Sequence, residues 1–547
     1  MGELKDLIRE MEPQLQSISQ SHLHSYSISE DEDDLRETLD TLNAGHLLVV
    51  THKKAIFEYF IGVPVLEPLY LVVQVYSDMN RSTNPPLCVK HVIDEEDLIK
   101  IARQSFLENI DNYSKKKKSK SKLKRSHSPS NALHPSSFSC GHPHELKETI
   151  PATLLHPVFG QFMDDSWTHT TTEDDNNLVH ELGNVMSAFY ETESKRVDAV
   201  SVVLTRYSPG FHLNSKVQGT AYITDADMSI DIHNHHHPYV IAEFKNEAAT
   251  SNSEPYIQAL SYYLESTRMS VLRMSGSSLP CFLLILFGPY IVFAGAVWTL
   301  HPAVQILSNP LAFNYCSTDM DNKITAAHHM AAFSKAVRSL EKYYETLPPE
   351  SKLANTLYHS IIFPYPTTFT SLDENSTTVF SYTEHLEEEK AKTLTGGHVE
   401  VPICIKFIRC YSQKAYLRCA LLGLPGGWLM VVMDRLVAYN VLADLPHIVH
   451  LPQSVFEAIR KELKTLHARK LVHGDMHDTN ILVKTNDQTK FMIIDFDWVG
   501  VEEVVQYLPY INYTDIKKPK DVRDELPIKV AHDIVMIDFI INTRVQK

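Results

Sequence analysis

The chain lacks paired cysteines, a surplus of positive charge and an apolar leader, and each absence removes a class of function. Its seven cysteines, at 88, 140, 281, 316, 404, 410 and 419, are odd in number and include no C-x-x-C pair. Neither a disulfide frame nor a zinc site is expected; they read as free thiols in a reducing compartment, mostly core filler. A formal net charge of −16 argues against wholesale coating of nucleic acid. The opening MGELKDLIREMEPQL reads as a charged amphipathic helix and not as a secretory signal. One uncharged run has membrane length, residues 279–298, but Gly288-Pro289 divides it into two β-rich pieces of strand length. A buried hairpin is expected there, and no membrane partner.

What is present fits a soluble multi-domain protein. The 547 residues are 44% hydrophobic and 22% charged, too long for one core and consistent with two to four domains. Residues 1–111 alternate helix-like stretches (DDLRETLDTLNAG, EEDLIKIARQSFLENI) with an apolar run, YLVVQVY, and carry no chemical motif. Residues 112–150 are expected to be a basic disordered linker, since the composition from Ser114 offers no apolar periodicity. Eight of the eleven residues from Lys115 to Arg125 are basic. That suits a nuclear localisation segment or an arm touching nucleic acid, and equally a solvated charge run. The expected location is intracellular, nuclear or cytoplasmic. Ser128-Pro129 has the form of a phosphosite.

The most informative stretch is LVHGDMHDTNILVKTNDQTKFMIIDFDW, residues 471–498. It places Asp475, Asn480 and Asp495 on two short loops beside strand-like runs. Phosphoryl transfer needs an acid to orient the attacking hydroxyl, and an amide with a second carboxylate to hold Mg²⁺ against the triphosphate. His473, Gly474, Asp475 and Asn480, followed by Asp495, Phe496 and Asp497, resemble the catalytic and metal-binding loops of the protein-kinase-like superfamily. The variant is similar to fungal-type protein kinases and also to the aminoglycoside and choline phosphotransferases. The resemblance implies ATP and Mg²⁺ as cofactors, Asp475 as base, Asn480 and Asp495 as metal ligands, and His473 in support.

Upstream, EVPICIKFIRCYS reads as a strand with Lys406 at the position of the kinase lysine that neutralises the α and β phosphates. Gly396-Gly397 reads as a hairpin turn and not a Gly-rich phosphate loop. No acid follows Lys406 in YSQKAYLRCALLG, so the Lys–Glu pair of active kinases is not evident. GGWLMVVMDRL fits a hinge strand, and LPQSVFEAIRKELKTLHARKL the helix before the catalytic loop. Gly474 in place of Arg removes the cation that pairs with a phosphorylated activation loop. Asp497 in place of Gly restricts flips of the metal loop. Asp533, on an apolar helix, is a candidate anchor for the catalytic loop.

A second constellation precedes it. NNLVHELGNVMSAFYETE reads as a helix with Leu178, Leu182, Val185 and Phe189 on one stripe and Glu181 on the same side. AYITDADMSIDI and YVIAEFKNE read as strands holding Asp227, Glu243 and Lys245, with Asp225 a rival to Asp227. Alternation puts Glu243 and Lys245 on one strand face. EPYIQALSYYLES then presents Gln258 and Tyr262 at i and i+4. The loop His233 to Pro238 reads as a solvated turn, and TAAHHMAAFSKAVRSLEKYYETLPPE as a long helix closed by Pro348-Pro349. This order resembles the PD-(D/E)xK nuclease superfamily. The resemblance implies Asp227, Glu243 and Glu181 around Mg²⁺, with Lys245 positioning the nucleophile or stabilising the developing charge and Gln258 orienting the site.

The expected architecture is multi-domain α/β and α+β. A PD-(D/E)xK-like mixed sheet flanked by helices spans 151–348, and a compact two-lobed protein-kinase-like domain spans 349–547, as in Crinkler-type proteins. The expected function is ATP- and Mg²⁺-dependent transfer to an alcohol group, with a Ser/Thr protein kinase first. Partners would be ATP, a protein or small-molecule hydroxyl acceptor, and nucleic acid through the middle domain and Lys115–Arg125. A metal-dependent nuclease and an ATP-binding pseudokinase acting as an effector interaction protein are the alternatives.

Overall fold

The computed structural model describes residues 47–51, 70–74, 95–120 and, with gaps of which 348–360 and 410–419 are the longest, 150–544. The chain divides into two compact units, Met1–Ser105 and Phe106–Lys547. In the first, β1 (Leu47–Thr51) and β2 (Tyr70–Gln74) pair antiparallel, Leu47 opposite Gln74. Helix α1 (Glu95–Lys120) continues through the lysine run. Residues 112–120 are thus helix and not linker; the remainder of the expected linker and the DDLRETLDTLNAG helix lie outside the described residues.

Residues 150–347 are built on a mixed seven-stranded sheet. Its strands are β3 (His212–Leu213), β4 (Ala226–Ile232), β5 (His235–Lys245), β6 (Cys281–Phe287), β7 (Tyr290–Trp298), β8 (Pro302–Ile306) and β9 (Leu311–Ala312), the last pairing with β7. Only β5 and β6 run parallel, which requires the crossover helix between them. The uncharged run forms the expected hairpin, β6 antiparallel to β7 with Gly288 at φ +53 in its turn. Among the described residues no helix is long and apolar enough to cross a membrane.

The helices of this part are α2 (Ala152–Leu155), α3 (Pro157–Thr168), α4 (Glu173–Met186), α5 (Glu193–Tyr207), α6 (Pro255–Thr267) and α7 (Met320–Glu345). Their starts follow local chemistry: Thr172 and Asp175 form a capping box on α4, and the Glu254 carboxylate accepts from Tyr256 and Ile257 N–H at the start of α6. Helix α4 stops at Met186, earlier than the apolar stripe suggests, and Phe189 is 96% exposed. The histidine loop also differs from expectation. His235 to Pro238 belong to β5, and buried His237 meets the Tyr344 hydroxyl at 2.9 Å. Burial pushes its imidazole down to about 3, so it is a neutral core group.

After the short pair β10 (Thr368–Thr370) and β11 (Thr377–Val379), a five-stranded antiparallel sheet forms in the order β12-β13-β14-β16-β15. Its strands are β12 (Ser381–His385), β13 (Thr393–His398), β14 (Val401–Ile408), β15 (Ala420–Leu424) and β16 (Trp428–Asp434). Gly396 and Gly397 are not a turn: they lie inside β13, opposite Ile403 and Pro402. The rest comprises β17 (Tyr439–Val441), α8 (Gln453–His467), β18 (Leu471–Val472), β19 (Ile481–Lys484), β20 (Asp487–Ile493), β21 (Gly500–Val501) and α9 (Val530–Arg544). Helix α8 buries Val455, Phe456, Ile459 and Leu463, one face at helical spacing.

One apolar core joins the seven-stranded sheet to the five-stranded one, running from Phe159 and Phe282 to Phe380, Tyr382, Phe407 and Trp428. The β15–β16 turn sits against the start of α3. A Cβ on Gly160 would lie 2.5 Å from the Pro425 carbonyl oxygen, so only glycine admits this backbone contact. Trp428 Nε1–H donates to Thr153 Oγ1 at 3.0 Å and Gly426 N–H to Asp164 Oδ2 at 3.0 Å. The Arg409 guanidinium covers the outer face of Trp428, 4.0 Å from the ring centroid.

Candidate active site

Asp533, fully buried on α9, holds the loop after β18 from below. Its Oδ2 accepts the His473 N–H and its Oδ1 the Gly474 N–H, both at 2.8 Å, and His467 Nε2 lies 2.9 Å from Oδ2. Gly474 is at φ +83, and a Cβ there would approach Ile528 Cδ1 to 2.8 Å. Glycine therefore satisfies a steric demand, beyond the loss of a cation inferred from sequence. Buried His473 joins this loop to the next. Its Nε2 lies 3.1 Å from Ile494 O and its Nδ1 accepts the Asp475 N–H at 3.4 Å. That pattern assigns the proton to Nε2. Burial depresses the imidazole pKa and keeps the ring neutral, and the ring packs 5.2 Å from Phe496.

Loop geometry brings Asn480 onto Asp475, with Asn480 Nδ2 donating to Asp475 O at 2.8 Å. The Asp475 carboxylate has two further neighbours. His477 Nε2 is 3.1 Å from Oδ2, and Lys518 Nζ is 3.0 Å from Oδ1. Burial pushes the carboxyl up, but His477 and Lys518 outweigh it and hold the pKa below the usual carboxylate range. Asp475 is thus ionised and can accept a proton from a hydroxyl placed beside it.

Across from it, Lys406 on β14 spans Asp495 Oδ1 and Asp497 Oδ2, each at 2.8 Å. Asp495 sits at φ +63, a left-handed backbone state costly for a non-glycine residue and common at functional sites. The ammonium is disfavoured by burial, yet the two carboxylates raise its pKa. The pair splits: Lys406 outweighs burial and holds Asp495 low, whereas burial and the Asp495 charge push Asp497 up to about 6. Asp497 supplies the second acid on Lys406 that sequence reasoning sought in the segment after β14. Residues 410–419, where that acid was sought, lie outside the described residues.

The donor set fits Mg²⁺, which takes oxygen ligands. Asn480 Nδ2 is committed to Asp475, leaving Oδ1 as its ligating atom. Asp495 offers a low-pKa carboxylate, and Asp497 Oδ1 is buried with no hydrogen-bond partner. An orphaned carboxylate oxygen carries a desolvation penalty that a bound cation removes.

The middle-sheet residues assemble differently from expectation. Glu243 is fully buried; its Oε1 takes Lys245 Nζ at 2.5 Å, and its Oε2 has no partner. Lys245 also reaches Glu193 Oε1 at 3.6 Å, so the helix acid here is Glu193 at the start of α5. Glu181 faces away, bonded to Arg206 and to the Tyr207 hydroxyl. Asp225 accepts the Phe244 N–H at 2.8 Å and, after burial, is the next cause raising the Glu243 pKa. Asp227 is instead occupied by Ser215 at 3.1 Å, Ser229 at 3.0 Å and Thr224 at 3.4 Å. Gln258 lies 3.5 Å from the Tyr262 hydroxyl on α6. Among the described residues no group of three or more His, Cys, Asp and Glu side chains is arranged as a metal cage.

Sequence reasoning missed Lys518, His477, Glu193 and the pairing role of Asp497. His477 was visible inside the motif, two residues after Asp475; Glu193 had a signal in its helix start after Thr192. Lys518 had none, since only the fold carries residue 518 back to residue 475.

A model of the lipopolysaccharide kinase (Kdo/WaaP) family matches residues 430–501. No curated protein sequence matches the chain. Among solved structures, the Cydia pomonella granulovirus kinase PK-1 is similar at 12% identity and TM-score 0.24, over 29% of this chain and 66% of that one. Vaccinia related kinase 3 is similar at 12% identity and TM-score 0.26, over 33% of this chain and 68% of that one. The chain thus spans about two thirds of each of these two kinases. The family match, residues 430–501, takes in the stretch that carries Asp475, Asn480, Asp495 and Asp497.

Proposed function

We propose that the region from residue 361 to 544 transfers the γ-phosphoryl group of ATP to an alcohol hydroxyl, on a protein Ser/Thr or a small molecule. One observation carries it: Asn480 lies on Asp475 at 2.8 Å, and Lys406, the member remote in sequence, lies on Asp495 at 2.8 Å, so that a base with its amide and a lysine–carboxylate pair are both formed. Asp475 takes the proton of the acceptor hydroxyl. Lys406 leaves its two carboxylates in part to meet the α and β phosphates. Asn480, Asp495 and Asp497 would hold Mg²⁺, which when bound neutralises charge on the triphosphate. Asp533 and His473 keep the two loops in register. The test is labelled-phosphate transfer from ATP to panels of proteins, sugars and small alcohols. Asp475→Asn should lower kcat about 10²–10⁴-fold with nucleotide affinity retained. Unchanged turnover in that variant sinks the assignment.

A second reading concerns the middle sheet. The unpartnered, fully buried Glu243 Oε2 beside Lys245, Asp225 and Glu193 supports a divalent-metal site acting on a phosphodiester. Mg²⁺-dependent nicking of DNA or RNA, lost in Glu243→Gln, is the expected result. Nicking that persists in that variant removes the reading.

A further inference from the structure

Among the described residues, Lys518 is a second lysine at the site beside Lys406, and its surroundings are unusual for a lysine. Its side chain is only 3% exposed, its Nζ lies 3.0 Å from Asp475 Oδ1, and it stands 5.3 Å from the centroid of the Trp498 ring. Burying an ammonium is expensive and is tolerated where a partner or a task requires it. The stretch Met476, His477, Asp478, Thr479 between the base and Asn480 contains no Lys or Arg, so this charge comes from elsewhere in the chain. It is delivered by a segment pinned to the loop from both sides: Pro519 and Val522 are buried, Asp521 meets His532 at 3.2 Å, and Ile528 packs against Gly474.

The acceptor hydroxyl must come within about 3 Å of Asp475 to hand over its proton. The phosphorus it attacks lies about 3–3.5 Å beyond it. An ammonium already touching Asp475 therefore borders the space of the transferring group. We propose that Lys518 is a catalytic residue that contacts the γ-phosphoryl group during transfer, having held Asp475 in place before nucleotide arrives. The assignment rests on the phosphotransferase reading above. In the step, the acceptor oxygen forms a bond to the γ-phosphorus, and the bond from that phosphorus to the β,γ-bridging oxygen breaks. The electron pair leaves with ADP and the acceptor proton passes to Asp475. Lys518 swings from Asp475 Oδ1 to a γ-phosphoryl oxygen, which bares the base to the hydroxyl and offsets the charge on the phosphoryl oxygens.

The test compares nucleotides with and without a γ-phosphate, and so reads the contact with or without turnover. In the full chain with Mg²⁺, Lys518→Met should weaken binding of a non-hydrolysable ATP analogue about tenfold and leave ADP binding within about twofold, the loss expected for one charged contact. Its kcat for transfer should fall about 10²–10³-fold with KM for the acceptor little changed. Lys518→Arg should keep the preference for the analogue, and thermal melts should show both variants folded. If Lys518→Met weakens ADP and the analogue equally, or changes neither affinity nor kcat, the lysine is a structural tie and the proposal fails while the phosphotransferase reading stands. If the unsubstituted protein binds neither nucleotide, both fall together.

Discussion

Asp497 and Asp495 share one lysine but carry opposite shifts, and this makes the metal-free site sensitive to pH. Burial and the Asp495 charge raise Asp497 to about 6, so the fold favours its protonated form. A raised acid contributes stability that is complete below the unfolded value near 4 and is lost as pH rises through about 6. Asp497→Asn should therefore leave stability unchanged near pH 4 and raise it by about 1–2 kcal/mol at pH 8, when measured without Mg²⁺. Excess Mg²⁺ should reverse that advantage, because the substituted site loses a carboxylate ligand. Chemical denaturation at the two pH values, with and without the metal, checks this. Gly474 offers a second residue-level test. Gly474→Ala meets both a left-handed backbone and the Ile528 side chain, and should cost about 1–3 kcal/mol in a urea titration.

At the scale of elements, α9 matters through one carboxylate. Asp533 is the acceptor for two consecutive loop amides, and Asp533→Ala leaves both donors buried without partners, a loss of about 2–4 kcal/mol. Amide hydrogen exchange should quicken at His473 and Gly474 in that variant, well before exchange in α8 changes. Much at this scale is legible from residue patterns. The Gly288-Pro289 break announces the β6–β7 hairpin, and the stripe of Val455, Phe456, Ile459 and Leu463 announces α8. The failures have physical causes. Phe189 fits the stripe of α4, but the helix ends at Met186, where Ser187 caps it. Gly396-Gly397 has turn composition, yet strand pairing with Ile403 and Pro402 overrides that preference. Glu181 shares a helical side with Leu178, but Arg206 and Tyr207 on the neighbouring helix claim it.

For the whole molecule, the joint between the two large sheets was the least legible part, because no motif marks it and its members are ordinary apolar residues. Sequence composition suggested a boundary near Pro348-Pro349, and residues on either side of it share one apolar core, from Phe159 to Trp428. The proximity of Asp475, Asn480, Asp495 and Asp497 was readable because all four fall within residues 471–498; that of Lys518 was not, since it is held beside Asp475 only by tertiary packing. Gly160→Val would drive a branched side chain into the Pro425 backbone. It should lower the melting temperature of the joined unit by several degrees and reduce nucleotide binding, although residue 160 lies outside the proposed phosphate site. Calorimetry with and without an ATP analogue measures both effects.

The fit of the Pro425-Gly426 turn against Gly160 also has a meaning in time. A ribosome completes α2 and α3 long before it makes Trp428, so the later sheet is expected to condense onto helices already made. Two separately made chains, 106–347 and 361–547, should accordingly recombine when mixed, with the second alone remaining prone to aggregate. Recovery of phosphoryl transfer on mixing, dependent on Gly160 in the first chain, is the expected result.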